Sequence, residues 1–278
     1  MKKILVIFLF LFSTLLLTSC DKGYDIYAFP STDTGRTFKL IDYSDRLVSA
    51  GYFVDIRRVR THEGGDRYLF YNLKTSPDAN DGMRISDQEL VNDYKIKNYL
   101  TSSRPLKSEY GFYSNDKEYA LTIIEFDKEE YVDQFISKYE QYFYATDLSV
   151  QRERTFLCFG EKELLEIALN GDAKEEFRQN SQMKKNLVGR FDYLSFGPVE
   201  CLLRYEKLTN VFDYIYVKTT NEHTYASDYV YIFQSSQDAQ NYYNYLESVG
   251  VGDYEIQNNI VAEADSIWMI ELSKIVKK

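Results

Sequence analysis

One local pattern recurs along the chain and limits the folds open to it: an amphipathic helix followed by two strands. Leu40, Tyr43, Leu47 and Ala50 keep a helical period over 37–51, which places them on one face. Strands at 52–60 and 67–73 follow, separated by the turn residues Glu63-Gly64-Gly65-Asp66. A second helix opens at Ser86, whose hydroxyl and Glu89 make an S-x-x-E capping box, and carries Leu90, Tyr94, Ile96 and Tyr99. Strands at 109–114 and 118–126 flank Asn115-Asp116, a turn pair. A third helix buries Val132, Phe135, Ile136, Tyr139 and Phe143, with strands at 147–151 and 154–159 behind it.

The middle is less regular. Residues 161–179 read as helix, 182–185 as a polar link, and 187–196 as one or two short strands. Gly197-Pro198 opens a helix at 199–210, then come strands at 212–219 and 227–233. The last helix starts after Ser235 on Ala239, Tyr242, Leu246 and Val249, and strands at 254–261 and 266–272 close the chain. Segment 123–151 parallels 231–257: each is a strand, a capped helix, and Asp-x-x-[Val/Ile]-Gln entering a strand. Helix 38–50 with its hairpin likewise resembles helix 202–210 with its hairpin. Such periods, near 40 residues, are the mark of a repeated supersecondary unit. Strands that come in pairs point to hairpins rather than to alternating crossovers. The expected fold is α+β: repeated α-β-β units forming antiparallel sheets covered on one face by helices, in two domains, 37–160 and 161–278.

The first 36 residues have another character. Lys2-Lys3 precedes an apolar run from Ile4 to Leu17, the basic and apolar regions of a secretory signal. At 14 residues the run is short for a spanning helix, which needs about 20. Leu17-Thr18-Ser19-Cys20 resembles the lipobox of bacterial lipoproteins. The resemblance covers residues 1–20. It implies cleavage between Ser19 and Cys20, acylation of Cys20, and a mature protein held on the extracytoplasmic face of a membrane. Two acyl chains suffice for firm anchoring, where one does not. Residues 20–36 then form the lipidated cysteine and a polar tether with Pro30 and Gly35, reaching roughly 20 Å if flexible.

Charge excludes some partners. Removing 1–19 takes away Lys2 and Lys3 and no acids, so the net charge of −10 becomes −12. Nucleic-acid binding rests on cationic contacts to phosphate and is not expected. The 26 tyrosines suit either a carbohydrate-binding surface or strand and core positions, and most fall where a strand or core already accounts for them. With Cys20 assigned to lipid, Cys158 and Cys201 remain. A disulfide between them would close about 43 residues and stabilise by about 4 kcal/mol; two buried thiols fit equally well.

Candidate chemistry is sparse. His62 with Glu63 and Asp66, and His223 with Glu222 and Asp228, sit in hairpin loops and could bind a metal only weakly; no H-E-x-x-H is present, and exposed loop residues account for them. Asp33-Thr34-Gly35 copies three letters of the aspartic-protease motif but lies in the tether. Asp78, Asn80 and Glu89 take the first, third and twelfth places of a calcium loop, with Met83 where glycine is required. Arg57, Arg58, Arg60 and Arg67 cluster on the first hairpin as a patch for an anion or an acidic partner. No P-loop, dinucleotide fingerprint or G-x-S-x-G is present, and no cofactor or metal is expected. The sequence therefore favours a non-catalytic binding or interaction module of the cell envelope, partnered by an envelope protein or cell-wall glycan. YVYIFQSSQDAQNYYNYLESVG (229–250) resembles the opening strand and helix of the peptidoglycan-binding SPOR domains, which makes a peptidoglycan binder one alternative. A hydrolase of envelope polymers is the other.

Overall fold

A computed structural model describes residues 34–59, 66–68, 84–107, 113–144, 149–188, 193–197, 210–221, 224–250 and 253–264. The leader, Ser19 and Cys20, the histidines, Cys201, Arg60, Asp78 and Asn80 lie outside them.

The first half contributes α1 (Thr34–Ser49), β1 (Phe53–Arg58), β2 (Asp66–Tyr68), β3 (Arg84–Ser86) and α2 (Asp87–Asn92). It continues with β4 (Ile96–Lys107), β5 (Tyr113–Phe126), α3 (Glu129–Tyr144), β6 (Ser149–Glu153) and β7 (Phe156–Gly160). Three helices follow: α4 (Lys162–Asn170), α5 (Glu175–Gln179) and α6 (Ser181–Val188). The remainder is β8 (Tyr193–Phe196), β9 (Val211–Asn221), β10 (Thr224–Phe233), α7 (Ser236–Val249), β11 (Asp253–Gln257) and β12 (Ile260–Ala264). Ten strands form one antiparallel sheet in the order 11-12-10-9-8-1-4-5-7-6, and β2 pairs with β3 apart from it.

The fold is thus α+β, with three corrections to the expected plan. First, segments 37–160 and 161–278 build a single sheet, because β8 pairs directly with β1. All the described residues fall in one unit, Thr34–Lys278. Second, helices lie on both faces of the sheet. In β7, Phe156 meets the Tyr43 ring of α1 edge-on at 5.9 Å, while Leu157 joins the core that α3 fills with Val132 and Phe135. Neighbouring strand residues point to opposite faces, so α1 and α3 are on opposite sides. All five residues of β7 are accordingly buried, the pattern of a doubly covered strand. Third, β1 pairs with β4 and β8, not with β2, so the hairpin expected over 52–73 is not made.

Local signals explain most elements. Ser235 caps α7 by accepting from the Asp238 N–H at 3.2 Å, and Gly250 ends it at φ 64°. Glycine reaches that conformation without steric cost. Segment 93–99 departs from its expected helix: α2 stops at Asn92, and Lys95 turns the chain at φ 52° into β4. A lysine there gives no warning of the turn. The strand that follows buries both faces, Tyr99 on one and Leu100 on the other.

Two stretches of the sheet are wired alike. Hairpins β4–β5 and β9–β10 each lead into a helix, α3 or α7, and then into a hairpin whose second strand returns beside the first. Pairing slips opposite Phe126 in one and at Phe233 in the other. The Phe126 N–H donates to the Thr155 carbonyl (2.9 Å) and the Phe233 N–H to that of Asn259 (2.8 Å). Positive φ falls at Lys95 and Asn210 before the first strands, and at Arg154 and Asn258 in the second turns. Where β1 meets β8, Val54 faces Phe196, Asp55 faces Ser195 and Ile56 faces Leu194.

Candidate functional site

Three buried or half-buried polar groupings stand out, and they differ in how completely their charges are matched. The first joins α1, α6 and β9. Lys184 Nζ lies 2.7 Å from Asp45 Oδ1 and 2.5 Å from Asp213 Oδ2, with all three residues at most 2 % exposed. Ser181 Oγ donates to Asp45 Oδ2 at 2.9 Å, and the Phe177 ring lies 5.0 Å from the ammonium. Burial alone would lower the Lys184 pKa, but Asp213 and Asp45 hold it above its ordinary range. Burial pushes Asp213 up to about 6 against the pull of Lys184. Two carboxyls share one cation in a dry setting. The segment 182–185, read from sequence as a polar link, is therefore part of a helix with Lys184 turned inward.

The second lies where β1, β4 and β8 meet. Asp55 is 4 % exposed and accepts from the Ser195 and Tyr193 side chains, while Asp55 Oδ1 and Thr101 Oγ1 have no hydrogen-bond partner among the described residues. Burial raises the Asp55 pKa although the Arg57 cation opposes it. Thr101 stands opposite Asp55 across the strand pair, so the two unmatched atoms share a face. A bridging water or hydroxyl would satisfy both.

The third is a set of tyrosine hydroxyls aimed at carboxylates. Tyr43 donates to Glu153, which also holds Lys39 Nζ at 2.6 Å. Tyr139 donates to Glu89 at 2.7 Å beside Lys138 Nζ at 2.6 Å. For both glutamates burial works against ionisation, yet hydrogen bonds from the lysine and the tyrosine hold the pKa below the ordinary value. Glu263 differs. It accepts from Tyr242 at 2.9 Å (Oε1) and Tyr231 at 3.2 Å (Oε2), and burial raises its pKa. Among the described residues no cation opposes that shift. Across the strands it stands between Tyr229 of β10 and Tyr254 of β11. Sequence reading missed all these pairings, because each joins residues that only the sheet brings together.

The residues singled out from sequence are scattered. Arg57 stacks its guanidinium 4.8 Å from the Tyr193 ring and belongs to the Asp55 grouping. Arg58 ends β1 opposite Asn98, and Arg67 lies in the separate β2–β3 pair. These three therefore occupy different settings. Cys158 is a fully buried thiol whose pKa burial pushes up to about 12, which makes it a poor nucleophile, and Cys201, the other half of the bond considered from sequence, lies outside the described residues. Glu89, matched to a calcium loop or a capping box, serves Lys138 and Tyr139.

No family model matches the chain, and no curated protein matches it. Among solved structures, a chain described as "Structure of crystal form III of TP0453" is similar at 10 % identity. The match covers 84 % of this chain and 97 % of that one, with a TM-score of 0.31.

Proposed function

We propose that the protein is a lipoprotein of the bacterial cell envelope, held on the extracytoplasmic face of a membrane by acyl chains on Cys20, and that its folded part is a non-catalytic binding module. The leader carries this reading: Lys2-Lys3, the apolar run to Leu17, and Leu17-Thr18-Ser19-Cys20 in register with one another. Intact-mass analysis of the membrane fraction tests it. Cleavage before Cys20 plus acyl chains is expected, and both are lost in Cys20→Ala. An unmodified chain, or one cut elsewhere, overturns the anchor.

The sheet, in this reading, consists of two copies of one unit, a repeat longer than the α-β-β pattern itself. The matching slips, turns and hydrogen bonds of the two stretches support it, as does the β1–β8 register, which is symmetric about Asp55 and Ser195. Asp45–Lys184–Asp213 then ties one copy to the other.

A peptidoglycan-binding role is the second reading. Segment 229–250 supports it by forming the end of β10 and all of α7, a strand and helix as in the resemblance to SPOR domains. Pull-down on purified cell-wall sacculi that recovers none of the protein removes it.

A further inference from the structure

We infer that Glu263 and the tyrosines around it form a binding site for an organic cation, a substituted ammonium group. The inference deepens the reading of the chain as a binding module and does not depend on the anchor. It begins from the match between the two stretches. The shared hydrogen bonds set Phe126 against Phe233 and Thr155 against Asn259. Counting along the strands and helices from there pairs Ile124 with Tyr231, Phe135 with Tyr242 and Leu157 with Val261. On the same count Glu263 occupies the place of Phe159, and Tyr254 that of Val150, two residues away from the Ile256 that the Asp-x-x-[Val/Ile]-Gln match sets against Val150. The first stretch fills this layer with apolar side chains, and Ile124 and Phe159 are 0 % exposed. The scaffold therefore has no need of a carboxylate there.

The second stretch puts one in and surrounds it with aromatic faces. Tyr229 and Tyr231 stack in parallel, 5.8 Å between centroids, and Tyr242 meets Tyr231 edge-on at 5.5 Å. Tyr243 meets Tyr254 edge-on at 5.1 Å. The two tyrosine hydroxyls occupy one lone pair on each Glu263 oxygen and orient the carboxylate, leaving capacity on both. Among the described residues the charges acting on these rings have the same sign: Glu247 and Glu255 act on Tyr243, and Glu247 acts on Tyr254. Tyr229, Tyr243, Tyr254 and Glu263 are only half-buried, so the group is open to solvent. The comparable carboxylates Glu89 and Glu153 each hold a lysine of the chain itself. Glu263 has the same tyrosine donors, and among the described residues no lysine reaches it. Aromatic faces with a carboxylate are the chemistry that holds alkylammonium groups.

The test titrates the full chain, purified from membranes in detergent, with choline, butylammonium and the uncharged choline isostere 3,3-dimethyl-1-butanol. Saturation-transfer NMR on the ligand protons reports binding at constant ionic strength. Choline or butylammonium is expected to bind at least tenfold more tightly than the isostere, and their order says whether a quaternary or a primary ammonium is preferred. Glu263→Gln is expected to weaken that binding at least tenfold while thermal unfolding stays cooperative. Should that variant not fold, Tyr254→Leu removes an aromatic wall without touching either hydroxyl donor and is expected to weaken binding likewise. Equal binding of choline and its isostere, no binding of either cation, or undiminished binding by the variants overturns the proposal. Turnover of glycan or ester substrates would defeat the non-catalytic reading instead, and this titration does not report on it.

Discussion

The core under α3 and the core under α7 are built to one plan with different materials. Under α3, Phe126, Phe135, Leu157 and Phe159 pack with Tyr94 and Tyr139, and Phe135 meets Tyr139 at 4.7 Å. Under α7, Phe233, Tyr242 and Val261 take the places of Phe126, Phe135 and Leu157, Tyr231 that of Ile124, and the half-buried Glu263 that of Phe159. One layer is the cheaper solution thermodynamically, since apolar burial yields about 1.5–3 kcal/mol per large side chain. The other desolvates a carboxylate and compensates with two hydroxyls. A difference of that kind on one scaffold marks where stability has been given up for another purpose.

The comparison is sound only if the two stretches are parts of one body, and Lys184 is the place to break it. Lys184→Ala leaves Asp45 and Asp213 buried without their cation, which is expected to lower stability by about 3–5 kcal/mol. Urea unfolding followed by both tyrosine and backbone signals checks this. A loss under about 1 kcal/mol would mean that strand pairing alone unites the sheet.

Next in size is the exchange of one core for the other. Tyr231→Ile, Tyr242→Phe and Glu263→Phe together copy the first layer into the second. The triple variant is expected to gain about 0.5–2 kcal/mol and to lose choline binding. Lower stability would show that the two layers are not equivalent, and that the carboxylate is a structural part of the second.

A smaller effect is expected on the other side. Tyr139→Phe removes one hydroxyl from Glu89 but leaves Lys138 and the ring contacts with Phe135 and Tyr94. The cost should be about 0.5–1.5 kcal/mol by thermal or chemical unfolding. No change at all would make the Tyr139–Glu89 bond incidental.

How much of this was legible in the sequence depends on the range of the interaction. Helices α3 and α7 and the hairpin β6–β7 follow from periodicity and caps, because neighbours in sequence decide them. Strand β4 was read as helix: Tyr94, Ile96 and Tyr99 suit either period, and both of its faces are covered. Strand β5 was divided at Asn115-Asp116, yet Asn115 pairs with Pro105 inside one long strand. The continuous apolar run Phe156–Phe159 was the available signal for two covered faces. Glu263 fell in the expected gap between strands at 254–261 and 266–272. Only the paired register sets it between Tyr229 and Tyr254. The one hint in the sequence is an acid at an apolar-phase position of Ile-Val-Ala-Glu-Ala, where the parallel strand reads Phe-Leu-Cys-Phe-Gly.

Acid titration offers the finest separation of the two layers, because their glutamates are shifted in opposite directions from the ordinary value of 4.5. Glu89 is held lower in the folded chain. Its contribution to stability is therefore complete above that value and is lost as pH falls through its folded pKa. Glu263 is held higher. Its contribution is complete below 4.5 and is lost as pH rises through its folded pKa. Measured between pH 3 and 7, the stability of Glu89→Gln relative to the parent is expected to improve as pH falls, and that of Glu263→Gln to worsen. Choline at saturating concentration should reverse the second trend, because a bound cation favours the ionised carboxylate and returns Glu263 to the state in which Glu89 is kept by Lys138. Parallel trends in the two variants would mean that the second carboxylate is matched as fully as the first, and the asymmetry between the layers would then have to lie in packing alone.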